Sequence, residues 1–258
     1  MIWTTRPRSD LGGLAAITAG EGPLVLLLHG VGLRAEAWNA QIDALSARYR
    51  VVAPDLPGHG GSAPVGIERL GAYTDAVARL LDEPALVVGH SMGALIALDL
   101  AGRYPDLVDG LAALNSVFRR SDSARAAVRA RAETLDGQSV ADPTPTLRRW
   151  FGETQSPERA ACEAWLRGID PEGYRAAYNV FARSDGPSSA SLRALAVPAL
   201  FMTGEAEPNS TPAMSRAMAD LAPQGQAVIV PGAAHMLPMT HTEVVNAALL
   251  DLAADCLP

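Results

Sequence analysis

The sequence predicts an α/β fold: a mostly parallel central sheet with helices on both faces and a helical cap inserted before the last two strands. Three observations carry this reading. Short apolar, partly β-branched runs recur with helix-length segments between them, the rhythm of βαβ units. That rhythm stops for nearly eighty residues, from about Val117 to Leu195, where no strand pattern appears. At one strand-to-helix junction, Gly89-His90-Ser91-Met92-Gly93, a serine stands between two glycines.

Taken in order, strands are expected at Leu14 to Thr18, Leu24 to Leu28, Val51 to Ala53, Ala85 to Val88, Gly110 to Leu114, Ala199 to Thr203 and Gln226 to Val230. Leu24 to Leu28 has no polar residue, as a strand covered on both faces requires. Helices are expected at Trp38 to Ala47, Ile67 to Leu81, Ala94 to Tyr104, Thr211 to Leu221 and Thr242 to Asp255. Gly102 and Pro105 stop the third of these. The strandless stretch reads as four helical pieces, roughly 121–136, 144–152, 157–168 and 171–183, punctuated by Gly137, Pro143, Pro157, Pro171 and Gly186. A connection that long between strands of one sheet is usually a lid. The expected organisation is a core of residues 1–116 and 196–258 with a helical cap at 117–195.

The chain has 258 residues, enough for one large core, and is 48% hydrophobic with a mean hydropathy of +0.10. A net charge of −7 and a pI near 5.2 argue against nucleic acid and against an anionic membrane as partners, leaving small molecules. The first long apolar run is too short to span a bilayer, and Met1 to Asp10 lacks a signal-peptide core, so cytoplasmic residence is expected. The two cysteines, Cys162 and Cys256, lie far from each other and from any metal-ligand spacing, and read as reduced and structural. All 21 basic residues are arginine, which carries no functional reading.

Ser91 follows a buried-strand pattern and precedes a helix, so the chain must turn within about three residues. Gly89 and Gly93 remove side chains that would clash in such a turn. The serine then sits at the carboxyl end of a parallel strand and at a helix N-terminus whose free N–H groups favour a developing anion. This is a G-x-S-x-G nucleophile elbow. On its own the pattern also fits a serine N-cap with two incidental glycines.

The rest of the chain supplies partners. His29-Gly30-Val31-Gly32 follows the second strand; it reads as a turn that can aim the Val31 N–H into the same crevice, making with the Met92 N–H a two-donor oxyanion hole. His235 falls just past the last strand and before the final helix, where it can take the Ser91 proton and return it to a leaving group. His241, at the helix start, competes weakly. The carboxylate that orients the histidine is expected after the strand Pro198 to Gly204, where Glu205 and Glu207 stand. Glu207, further along the loop, is preferred and Glu205 is the alternative. Asn115 and Ser116, after the preceding strand, cannot supply charge. The order Ser91, Glu207, His235 is the nucleophile-acid-base order that accompanies this elbow. No histidine spacing suggests a metal site, and no cofactor is needed.

These residues, with Trp38, the segment Tyr49 to Ser62 ("YRVVAPDLPGHGGS") and Pro231 to Pro238 ("PGAAHMLP"), make the chain resemble the α/β-hydrolase superfamily over essentially its whole length. The resemblance implies that the "DLPGHGGS" turn frames the crevice, so Asp55 and His59 are expected to be structural. Within the superfamily the chain looks most similar to capped small-molecule esterases and enol-lactonases of the 3-oxoadipate enol-lactonase type. Haloalkane dehalogenases and epoxide hydrolases have aspartate where Ser91 stands. Carbon-carbon hydrolases of meta-cleavage products tend to have asparagine before the serine and tryptophan after the base; here those positions are His90 and Met236. Glutamate also replaces the usual aspartate of the acid position.

Aromatic residues gather in the cap, and Tyr174, Tyr178 and Phe181 share one helical face at i, i+4 and i+7. They pack the cap onto the core or line an acyl pocket. Trp150 and Tyr178, with Met236 beside the base, are expected to contact substrate. Residues 116–190 carry 11 Arg against 10 acids, while the rest of the chain has 10 against 18. That balance would admit a carboxylate-bearing substrate, with Arg119, Arg120, Arg125 or Arg129 as anchors, though solvated helix faces explain those arginines equally well. The expected protein is a cofactor-free hydrolase of a small-molecule ester or lactone, monomeric or homodimeric. The alternatives are a carbon-carbon hydrolase and a ligand-binding relative without turnover.

Overall fold

The apolar runs assemble into one sheet of eight strands: β1 (Ser9–Leu11), β2 (Leu14–Ala19), β3 (Leu24–Leu28), β4 (Arg50–Pro54), β5 (Ala85–His90), β6 (Val108–Leu114), β7 (Ala199–Gly204) and β8 (Gly225–Val230). Their spatial order is β1-β2-β4-β3-β5-β6-β7-β8. β1 with β2 and β2 with β4 pair antiparallel; every other pair is parallel. The computed structural model describes residues 3–64 and 66–257; Met1, Ile2, Val65 and Pro258, which fall in the expected core segments, lie outside the described residues.

Parallel pairing requires crossovers, and helices supply them. In chain order they are α1 (Asn39–Leu45), α2 (Leu70–Ala78), α3 (Met92–Arg103), α4 (Asp122–Glu133), α5 (Thr144–Phe151), α6 (Pro157–Arg167), α7 (Pro171–Arg183), α8 (Ser189–Arg193), α9 (Pro212–Leu221), α10 (Leu237–Thr240) and α11 (Thr242–Cys256). No helix among the described residues is long and apolar enough to cross a membrane.

The pleat divides β3 between two cores. Leu24, Leu26 and Leu28 join one buried cluster, with Ile96 and Leu100 of α3; Val25 and Leu27 join the other, with Ile42 of α1 and Leu249 of α11. Helices α4 to α8 all fall between β6 and β7. Their buried residues Leu147, Trp150, Cys162, Leu166 and Tyr174 extend the α3-side cluster, so the insertion has no separate core. One close approach to the sheet domain is Gly58 against Gly173, where a Cβ on Gly173 would lie 2.4 Å from the Gly58 carbonyl oxygen.

The structure adds elements that the residue pattern did not announce. β1 is three residues long, exposed or half-exposed, and paired only on one side. Short α8 and α10 are also new, and a 3-10 turn (Ala35–Trp38) precedes α1. The helix expected over Ile67 to Leu81 is confined to α2 because Arg69 is extended, at φ −144°.

Candidate active site

The elbow begins with β5 and ends in α3, with Ser91 between them at φ 57° and ψ −114°. A non-glycine residue held there is strained, at a cost of order 1–3 kcal/mol, and such strain persists only where the surroundings enforce it. Here they do so by contact. A Cβ on Gly89 would lie 2.1 Å from the Gly93 carbonyl oxygen, and one on Gly93 would lie 2.1 Å from that of Leu28. The Ser91 N–H is tied to the Leu114 carbonyl at 2.9 Å, and its own carbonyl accepts from the Ala94 N–H at 3.1 Å. The backbone is therefore fixed while the hydroxyl, which makes no hydrogen bond among the described residues, faces the cavity.

Two backbone N–H groups flank the elbow, one in each of the turns that meet there. Met92 is the first residue of α3, so its N–H has no partner inside the helix. Val31 lies in the turn after β3, where Gly32 N–H donates to His59 Nε2 at 3.1 Å and Leu33 N–H to the Gly30 carbonyl at 3.2 Å, leaving Val31 N–H outside both bonds. A Cβ on Gly30 would meet the Ser91 Cβ at 3.0 Å, which shows how closely this turn approaches the elbow.

The turn is held by two neutral histidines. His29 donates from Nδ1 to the Gly30 carbonyl at 2.8 Å and accepts the Leu56 N–H at Nε2, 2.9 Å. Burial pushes its pKa down, and burial, then the neighbouring His29, pushes that of His59 down to about 3. Asp55 lies in a buried ionic cluster: Arg8 Nε donates to it at 2.5 Å and the Ala35 and Gly61 N–H groups at 2.8 Å each. Those bonds lock the Asp55 to Ser62 turn and leave neither Asp55 nor His59 on the cavity wall.

His235 follows β8 and lines the same cavity as Ser91. Its Nδ1 is 2.8 Å from Glu207 Oε2, so Nδ1 carries the proton donated to the carboxylate and Nε2 is left to accept one. Glu207 is 2% exposed. Its burial alone would raise the carboxyl pKa; the opposing charge and hydrogen bond of His235, with the Asn209 and Ser210 N–H groups on Oε1 at 2.7 and 3.2 Å, outweigh that and bring it down to about 2. Glu205 is exposed and accepts the Gly232 N–H instead, at 3.2 Å. Between the two acids of the loop, the geometry thus joins Glu207 to His235.

Two aromatic groups fix the histidine's position. His90 Nε2 donates to the His235 carbonyl at 2.8 Å; burial, then the neighbouring His235, pushes the His90 pKa down to about 3, so it acts as a neutral donor. Trp150 of α5 stacks on the His235 ring, centroids 5.6 Å apart and planes 22° from parallel.

The cavity measures about 190 Å³. Trp150 and Tyr178 line it, as the sequence suggested. Met236 does not: its side chain is buried in the α3-side core. Of the four arginines considered as anchors, only Arg120 reaches the wall, and it is occupied by the Ser184 carbonyl at 2.6 Å and Asp185 Oδ1 at 3.0 Å. Arg125 pairs with Asp185, Arg119 bonds Ser189, and Arg129 is exposed. The arginines that do face the cavity are Arg131 and Arg149. Helical spacing held the signal: Ala124, Ala127, Val128 and Arg131 form one stripe of α4, and Thr146, Arg149 and Trp150 one stripe of α5.

A mostly parallel sheet with a strained serine elbow and a histidine–carboxylate pair at its carboxyl edge defines the α/β-hydrolase architecture. The profile of the Alpha/beta hydrolase family matches residues 25–248, and the chain belongs to that family. It is 38% identical over 237 residues to the (E)-2-((N-methylformamido)methylene)succinate hydrolase of Acinetobacter baylyi, covering 89% of this chain and 90% of that one. A thermophilic esterase from Thermogutta terrifontis, solved with malate bound, superposes with a TM-score of 0.86 at 30% identity, covering 95% and 94% of the two chains. The enol-lactonase from Burkholderia xenovorans shares the fold, with a TM-score of 0.82 at 24% identity over 96% and 100%.

Proposed function

We propose that the protein is a serine hydrolase that cleaves a carboxylic ester or (enol-)lactone of a small molecule through an acyl-enzyme. The observation that carries this is the opening of Ser91, in its strained elbow, onto the cavity that also receives His235 paired to buried Glu207. His235 Nε2 takes the Ser91 proton as Oγ adds to the carbonyl carbon, and the oxyanion is held by the Val31 and Met92 N–H groups. Collapse expels the alkoxide or enolate, which receives that proton from His235. Water, deprotonated by the same imidazole, then adds to the acyl-enzyme and Ser91 leaves with the proton. Glu207 keeps Nδ1 protonated and stabilises the imidazolium formed in both steps. The helices of 117–195 close the cavity from above and act as its cap. The name of the Acinetobacter relative, a hydrolase of a substituted succinate, supports a small-molecule substrate.

Intact-mass measurement after incubation with a fluorophosphonate tests the reading. One adduct is expected on the parent and none on Ser91→Ala. A folded parent that takes no adduct would instead favour a ligand-binding protein without turnover.

A further inference from the structure

We propose that the substrate carries a free carboxylate in addition to its scissile acyl group, and that Arg131 and Arg149 bind it. The inference rests on the hydrolase reading and concerns the arginines that line the same cavity.

The cavity wall contains three arginines and no aspartate or glutamate. Arg120 is neutralised where it stands, by Asp185 and the backbone carbonyls around it. Arg131 and Arg149 form no ion pair among the described residues. Arg131 is half-buried and approaches the Tyr174 hydroxyl; Arg149 is exposed at the rim, and both guanidinium groups act on Tyr174 and Tyr178. Asp142 lines a neighbouring small cleft that Arg131 also borders and feels the Arg131 charge, but its hydrogen bonds go to the Thr144 hydroxyl and N–H, which it accepts at 2.7 and 3.0 Å. Two cations without an ion-pair partner among the described residues thus border one space from two different helices, in a chain whose net charge is −7.

Guanidinium groups present a planar fork of donors that matches a carboxylate. In a partly desolvated cavity their donors gain more from an anion than from a neutral oxygen. The same cavity also has apolar lining residues in Val117, Val128, Trp150 and Phe181. A short hydrocarbon spacer suits it. The class is therefore an ester or lactone of a small dicarboxylic acid, its second carboxylate free.

The test compares kcat/KM for monomethyl and dimethyl esters of succinate, glutarate and adipate. In the parent the best half-ester is expected to exceed its diester at least about tenfold, the worth of one charge-assisted contact. In Arg149→Gln and in Arg131→Gln that ratio falls to within about twofold of one, while Arg149→Lys keeps part of it. The ratio is internal to each variant, so a partly unfolded preparation does not distort it. A parent that turns over the diesters as well as the half-esters would overturn the proposal and leave the hydrolase reading standing. If no ester is cleaved and Ser91 takes no fluorophosphonate, the hydrolase reading fails, and glutarate binding by calorimetry decides the carboxylate site alone: binding weakened about tenfold in Arg149→Gln supports it, and no binding to the parent refutes it. Inorganic phosphate, the other anion a guanidinium fork would hold, is run as a competitor against glutarate; stronger inhibition by phosphate would refute a carboxylate site.

Discussion

At the scale of single residues, the site turns on which carboxylate meets His235. The two glutamates of the loop are separated by one alanine, yet Glu207 is buried with three partners, His235 and the Asn209 and Ser210 N–H groups, while Glu205 stays at the surface. Loop position was readable in the sequence; the two N–H groups that hold Glu207 ionised were not, since they depend on how the chain curls back at Asn209 and Ser210. Glu207→Gln is expected to lower kcat at least about tenfold, because the imidazole loses the charge that keeps its tautomer and stabilises its cation. Glu205→Gln serves as the control, and a drop in that variant alone would reverse the assignment. The pH dependence has a definite sign. A carboxyl at about 2 in the folded chain against 4.5 ordinarily contributes stability that is complete above pH 4.5 and is lost as the pH falls toward 2. Denaturant titrations between pH 4.5 and 3 should therefore show the gap between parent and Glu207→Gln narrowing with acid. A gap that holds constant would mean the side chain is not ionised through His235.

At the scale of elements, strands and crossover helices were legible wherever both faces of an element are buried, as in β3 and β5, because burial on both sides forces an unbroken apolar run. Elements made by pairing or by turns were not. β1 exists because β2 offers it a ladder, and α10 is four residues fixed by their neighbours. The same logic explains the arginines: Arg129 and Arg131 are adjacent in a list of basic residues but lie on opposite faces of α4, and only the helix phase distinguishes them. Helix α7 seats the insertion through Gly173, whose Cα is 2.8 Å from where a Gly58 Cβ would be. No flexible side chain can give way there, because both partners are backbone. Gly173→Ala should lower unfolding free energy by about 1–3 kcal/mol, as overpacking does. It should also depress turnover, because Tyr174 and Tyr178 on the same helix line the cavity. Denaturant midpoints and kcat/KM on a neutral ester check both halves; a variant as stable as the parent would mean that the helix and the Gly58 turn separate at no cost.

At the scale of the whole molecule, the insertion and the sheet share one hydrophobic cluster, although the sequence separates them cleanly, and they should therefore unfold together. The α3-side cluster runs without a break from Leu26 and Val87 in the sheet through Val31 and Met92 at the elbow to Trp150, Leu166 and Tyr174 in the insertion. Removing the insertion would expose those side chains on both partners, at about 25 cal/mol for each Å² of apolar surface. The helices that share this cluster cannot open alone without bearing that cost. Helix α4 is the exception, since Ala132 is its one buried residue and its cavity stripe of Ala124, Ala127 and Val128 is small or partly exposed. Native-state hydrogen exchange over a denaturant series separates these cases. Amides of α7 should exchange only through the opening that also releases β5, with the same free energy and the same denaturant slope, whereas α4 should exchange through a smaller opening of its own. Since α4 carries Arg131, saturating glutarate should slow α4 exchange more than that of any other helix in the insertion. If α5, α6 and α7 instead opened together below the free energy of the sheet, the insertion would be a separately folding lid and the shared core would not couple it to the elbow.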